Sequence, residues 1–272
     1  MTRMARTPHG LALASATSAP WRTALAGALI GLALGAAAFA PASWLAAAIG
    51  VASGQQVNLS NARGSIWQGS SQLALSGGVG SGQAVALPGQ IHWQVQPAWT
   101  GLRILVSADC CTQQPLQLLA ATTGFSGLRL VLGNGQSRWP AGLLAGLGTP
   151  WNTVQPQGQL VATTQDVSLE WAQGHMHLSG RIQVDALQVS SRLSTLSPMG
   201  SYRITVQGGP DTSLQLATLD GSLQLSGQGQ WIAQRLRFNG IASAEPARVE
   251  ALSNLLNIVG RRDGARSIIT VG

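Results

Sequence analysis

Beyond residue 50, apolar and polar side chains alternate in short runs. The apolar members fall at Leu73 and Leu75, at Ile91, Trp93 and Val95, and at Leu128, Leu130 and Leu132. The same spacing continues in Val167, Leu169 and Trp171, in Met176 and Leu178, and in Ile182 and Val184. It closes with Tyr202, Ile204 and Val206, Leu223 and Leu225, and Leu236 and Phe238. Period-two alternation turns one face of a strand to a core and the other to water. Glycine-rich punctuation separates the runs, as in Ser76-Gly77-Gly78, Gly133-Asn134-Gly135 and Gln207-Gly208-Gly209-Pro210. Such spacings suit hairpins and meanders, and Asn134-Gly135 between two apolar runs is the strongest single turn signal. The pattern therefore predicts a mainly β body: an extended antiparallel sheet, curved or partly rolled.

The period changes in three places. Residues 24–40 are an unbroken run of Ala, Leu, Gly, Ile and Phe, and no charge occurs between Arg22 and Arg63. A helix of roughly 20 apolar residues is what a hydrocarbon layer of about 30 Å requires. Trp21 and Trp44 bracket the run as interfacial aromatics do, and Pro41 kinks or ends it. Arg3, Arg6 and Arg22 precede the run, whereas the first acidic residue is Asp109. In a bacterial cell this bias puts the N-terminus in the cytoplasm and the rest in the periplasm, a single-pass inner-membrane arrangement. The expected organisation is a cytoplasmic tail (residues 1–22), a transmembrane anchor (23–50) and a periplasmic β-rich domain (51–272). A cleaved signal peptide competes, because Ala38-Phe39-Ala40 and Ala46-Ala47-Ala48 have the small-x-small form. Against it, Pro41 follows the first site directly, and apolar character runs on through Trp44, Leu45 and Ile49.

The second change is a short helix over residues 140–147, with Leu143, Leu144 and Leu147 on one side. The third is stronger: Val249, Leu252, Leu255, Leu256 and Val259 fall at helical spacing before Gly260. This terminal helix is expected to pack on the end of the sheet, with partner binding as the sharper alternative.

Composition narrows the function more than it defines it. Charged residues are 9% of the chain, against a norm of about 25%. The net charge of +7 comes from arginine alone, and three of the arginines precede the anchor. The others are scattered from Arg63 to Arg266, only Arg235, Arg237, Arg261 and Arg262 being close neighbours, with no basic stripe to suggest nucleic acid. Nine tryptophans against one tyrosine and three phenylalanines read as large buried anchors.

Little of the chain looks chemical. Cys110 and Cys111 are adjacent, which matches neither a zinc spacing nor a Cys-x-x-Cys redox motif; a vicinal disulfide and two separate thiols both remain open. His175 and His177 share a strand face, but Glu170 and Asp185 are at no diagnostic spacing from them, so no metal site is assigned. There is no Gly-x-Ser-x-Gly elbow, and residues 77–82 lack the Lys-Ser/Thr ending of a phosphate loop. No catalytic residue, cofactor, small-molecule substrate or metal is expected, and the chain reads as a non-enzyme.

Particular motifs add a resemblance. Gly64-Ser65-Ile66-Trp67-Gln68-Gly69, then Trp93-Gln94-Val95-Gln96-Pro97, resembles the Gly-x-x-Trp-x-Gly and Trp-x-x-x-Pro elements of the general (type II) secretion pathway protein N family. Leu147-Gly148-Thr149-Pro150, Gly227-Gln228-Gly229-Gln230-Trp231 and Arg237-Phe238-Asn239-Gly240 are similar in the same order. The resemblance implies a non-enzymatic inner-membrane component of the machinery that exports folded proteins, with other inner-membrane subunits as partners. Trp67, Trp93, Leu252, Leu255 and Leu256 are the candidate interaction residues. The alternative is an anchored periplasmic lipid-binding or lipid-transfer protein, which needs one sheet face to be continuously apolar and open.

Overall fold

The structure is a computed structural model that describes residues 21–124, 127–172, 174–232 and 235–272. It divides into two units, one ending at Ala40 and the other spanning Pro41–Gly272. The first unit contains helix α1 (Trp21–Ala38), with a mean hydropathy of 1.4. At 1.5 Å per residue its length is about 27 Å, close to a bilayer core. None of its side chains is buried, so by length and composition it qualifies as a membrane span. Arg3 and Arg6 of the expected tail lie outside the described residues.

The break expected at Pro41 divides the apolar stretch 23–50 between two helices. Proline has no N–H to continue the α1 hydrogen-bond ladder. Pro41 is instead extended (φ −71°, ψ 151°) and precedes helix α2 (Ala42–Ala52), which belongs to the second unit and packs on its first strand.

The second unit is an open antiparallel sheet. Its strands are β1 (Val57–Gly64), β2 (Gln68–Ser76), β3 (Ala84–Ala86), β4 (Ile91–Ala98), β5 (Gly101–Ala108) and β6 (Leu116–Thr123). They continue with β7 (Gly127–Leu132), β8 (Gly135–Pro140), β9 (Gln157–Ala172), β10 (His175–Ser190) and β11 (Gly200–Gln207). The last are β12 (Ser213–Gly221), β13 (Leu223–Ile232), β14 (Arg235–Ala244), β15 (Arg261–Asp263) and β16 (Arg266–Val271). Neighbours along the chain are mostly neighbours in the sheet, from β1 at one edge to β16 and β15 at the other; β3 pairs with β2 off this path. The expected mainly β fold with an N-terminal apolar helix and a short C-terminal helix is what the chain adopts.

One turn reading is corrected. Asn134-Gly135 does not close a hairpin, because β7 and β8 both pair with β9 and run the same way along it. Residues 133 and 134 face residues 165 and 166 of β9, two against two, so the ladder is interrupted there without a change of register. Asn134 Nδ2 donates to Asp166 Oδ1 (3.1 Å), and the Asp166 N–H donates to Asn134 Oδ1 (2.6 Å). The Asn side chain thereby takes a backbone group that the ladder leaves unpaired.

Two apolar clusters hold helical pieces against the sheet. A 3-10 turn (Ala141–Leu147) brings Leu143 onto Leu87, Ala108 and Cys111, with Leu73, Leu75 and Ile91 beside them. After the four-residue helix α3 (Trp151–Val154), helix α4 (Val249–Val259) buries Leu252, Leu255 and Leu256 against Met199, Tyr202, Leu223 and Ala242. Three leucines at positions i, i+3 and i+4 make one stripe, which is why α4 docks by a single face. Ser267 Oγ donates to the Leu256 carbonyl (2.6 Å) and ties the helix to β16.

Candidate interaction surface

The register sorts the alternating side chains. Paired residues across an antiparallel sheet share a face. Following the pairs from β4 to β10 gives the row Pro97, Leu102, Ala120, Leu130, Leu169 and Leu178. A second row crosses β10 to β16 through Val184, Ile204, Leu216, Gly227, Gly240 and Ile269. The intervening Gln, Ser, Thr and Arg positions take the opposite face. One face is therefore apolar in almost every strand, covered at its ends by the 3-10 turn and α4. Between them Leu128, Trp171 and Met176 stay exposed (44%, 54% and 51%).

Glycines in the recurring motifs have a packing role on this face. Gly69 pairs with Trp93, and a Cβ there would overlap the indole Cζ2. Trp93 is 6% exposed, and its Nε1–H donates to the Ser65 carbonyl (3.2 Å). Gly64 supplies the positive φ (91°) of the intervening turn. The Gly-x-x-Trp-x-Gly element is thus a turn followed by a seat for a tryptophan from the neighbouring strand. Phe238 repeats the arrangement at the other end, where its ring lies against Gly227 and Gly240 and a Cβ at either would meet it.

The five candidate residues do not come together. Leu252, Leu255 and Leu256 are buried (0%, 2% and 0% exposed) and face the sheet, so they set the position of α4, whose exposed apolar residue is Ile258. Trp93 is buried near the β1–β2 turn, and Trp67 in that turn is half-buried. Sequence reasoning did not single out Phe238, although Gly-x-Gly opposite an aromatic strand was a signal available to it.

The polar groups form local ties. His92 Nε2 lies 3.1 Å from Asp109 Oδ1, and Asp109 Oδ2 accepts the Gln90 N–H (2.9 Å). That backbone bond, with His92 assisting, holds the Asp109 carboxyl below its usual range. Ser70 and Ser107 flank His92 across β2 and β5, but no hydrogen bond joins either hydroxyl to the ring among the described residues. Asp185 receives both Nε–H (2.7 Å) and Nη2–H (2.8 Å) of Arg203, which lowers its carboxyl and raises the guanidinium. Of the two states open to the cysteines, the structure has the Cys110–Cys111 disulfide, with Cys111 in the apolar cluster under the 3-10 turn. His175 and His177 are exposed at the start of β10, and among the described residues no three His, Cys, Asp or Glu side chains converge.

No curated protein and no solved structure matches the chain. The family described as type II secretion system (T2SS), protein N matches residues 55–269, which takes in β1 to β15, α4 and the first four residues of β16. With most of its length matched, and with the glycine seats for Trp93 and Phe238 both inside the matched region, the chain belongs to the type II secretion system protein N family.

Proposed function

We propose that this component of the type II secretion machinery is a non-enzymatic, inner-membrane-anchored scaffold. In this reading α1 crosses the membrane with its N-terminus cytoplasmic, and the sheet unit works in the periplasm during export of folded proteins across the outer membrane. The observation that carries it is the family match over residues 55–269, joined to an apolar helix with no buried side. Tethering confines the sheet to the membrane surface and raises its effective concentration for other inner-membrane subunits, so no tight pairwise contact is needed.

The proposed contact regions are the β1–β2 turn around Trp67, which Trp93 braces, and α4, which Leu252, Leu255 and Leu256 hold in place. An open backbone edge supports strand addition as the mode. β15 pairs only with residues 266–268 of β16, so residues 269–271 have no partner on that side among the described residues. Pull-down of the tagged full chain from native membranes tests the reading. Recovery of secretion-platform subunits supports it, and a membrane fraction that holds the chain without any of them counts against it.

The continuous apolar face favours one second reading, a groove for lipid acyl chains. Mass spectrometry of lipids retained by the purified chain after delipidating washes separates the two.

A further inference from the structure

Because each strand runs opposite to the next, alternate connections fall on the same side of the sheet. One rim collects the C-terminal ends of β1, β4, β6, β9, β11 and β13 and the starts of β2, β5, β7, β10, β12 and β14. We propose that this rim is a bilayer-contact surface, seating the sheet on the headgroup layer of an anionic membrane independently of the apolar helix.

The rim's side chains have the composition of a membrane interface. Trp99 in the β4–β5 turn is fully exposed (107%), and Trp171 and Trp231 end their strands half-exposed (54% and 36%). Leu128, Met176 and Ile232 stand beside them, each more than 40% exposed. Indole rings left in water at the tips of strands lose the burial that normally stabilises them. The headgroup boundary satisfies both the apolar ring and its N–H.

Charge complementarity selects the partner. The half of the sheet toward this rim carries Arg63, Arg103, Arg129, Arg181, Arg235 and Arg237 against Asp166, Glu170 and Asp211. All six arginines are exposed, and none takes part in an ion pair among the described residues. The opposite half is nearly balanced, with two of its arginines already paired to Asp185 and Asp263. An excess of arginine interleaved with tryptophan fits lipid phosphates over acyl chains. The same rim carries Pro41, which forms an antiparallel bridge with Ser65 at the end of β1. Pro41 is the first residue of the sheet unit.

The test uses the full chain reconstituted in vesicles of phosphatidylcholine alone and of phosphatidylcholine with phosphatidylglycerol. An environment-sensitive fluorophore is attached in turn to Trp99→Cys on the rim, to Val79→Cys on the opposite side, and to Leu29→Cys in α1. The native cysteines are held in their disulfide and leave the introduced thiol to react. Trp99 and Val79 are both exposed (107% and 87%), so neither change disturbs packing, and far-UV circular dichroism checks the sheet. Lipid-borne nitroxide quenchers should quench position 99 but not position 79, and more strongly with phosphatidylglycerol.

Each arginine near an anionic surface shifts the contacting population about fivefold, so Arg103→Gln with Arg129→Gln should lower the ratio of contacting to free rims about 25-fold. Quenching at 99 no greater than at 79 overturns the proposal. So does equal quenching in the two lipids, or protection of position 99 only when other membrane proteins are present, which would assign the rim to a protein partner. Position 29 reports the anchor separately: if it escapes quenching the anchor reading fails, while position 99 still decides the rim.

Discussion

Gly227→Ala is the sharpest probe of how the sheet is packed. The added methyl would overlap Phe238 Cζ and come within 2.9 Å of both Phe238 Cε2 and the Asn239 carbonyl oxygen. Phe238 cannot swing away cheaply, because it is 8% exposed and its ring also lies against Gly240. Overpacking of this kind costs about 1–3 kcal/mol. For a domain of this size each kcal/mol lowers the melting temperature by about 2–4 °C, so the expected drop is roughly 2–12 °C. Far-UV circular dichroism of the full chain in detergent follows the melt. The same contact fixes the sign of a coupling. In a Phe238→Leu background the smaller side chain vacates the site, and adding Gly227→Ala should cost about 1 kcal/mol less than it does alone. A Gly227→Ala protein that melts with the parent would refute the account, as would two substitutions whose effects simply add.

Other expectations follow from buried and paired groups. Leu255→Ala removes a side chain that is 2% exposed from the centre of the α4 cluster, and should cost about 2–5 kcal/mol in the same melt. Because Arg203 lowers the Asp185 pKa, the pair contributes stability above the unfolded carboxylate value, about 3.9, and loses it as pH falls through the lower folded value. Arg203→Gln should therefore melt below the parent at neutral pH, with the gap narrowing under acid; a pH-independent gap would contradict the assignment. Maleimide should label neither Cys110 nor Cys111 until the protein is reduced, and labelling of the unreduced protein would remove the disulfide.

The sequence foretold most of this sheet because its strands follow chain order and expose one face. Val167, Leu169 and Trp171 share that face just as their spacing indicates. β5 and β6 were harder to read, since Leu105 and Leu119 put apolar residues on the polar face as well and blur the period. Asn134-Gly135 misled because a chain reversal and an interruption within one continuing strand line use the same residues. Only the partner strand decides between them, and here it is β9 for both flanks. The arginines looked scattered because the positions that meet on one rim are separated by whole hairpins in sequence. The stripe of Leu252, Leu255 and Leu256 was plain in the spacing. Its inward direction became apparent only once Met199, Tyr202 and Leu223 were placed beneath it.

Secretion itself is the most direct test of the central claim that an anchored β scaffold takes part in export. In cells lacking the chain, proteins normally released to the medium should accumulate folded in the periplasm. The full chain should restore release, whereas a form in which a cleavable signal peptide replaces the residues before Pro41 should not, though present at equal level. Unchanged release without the chain would contradict the account, and full rescue by the unanchored form would contradict the role of the helix.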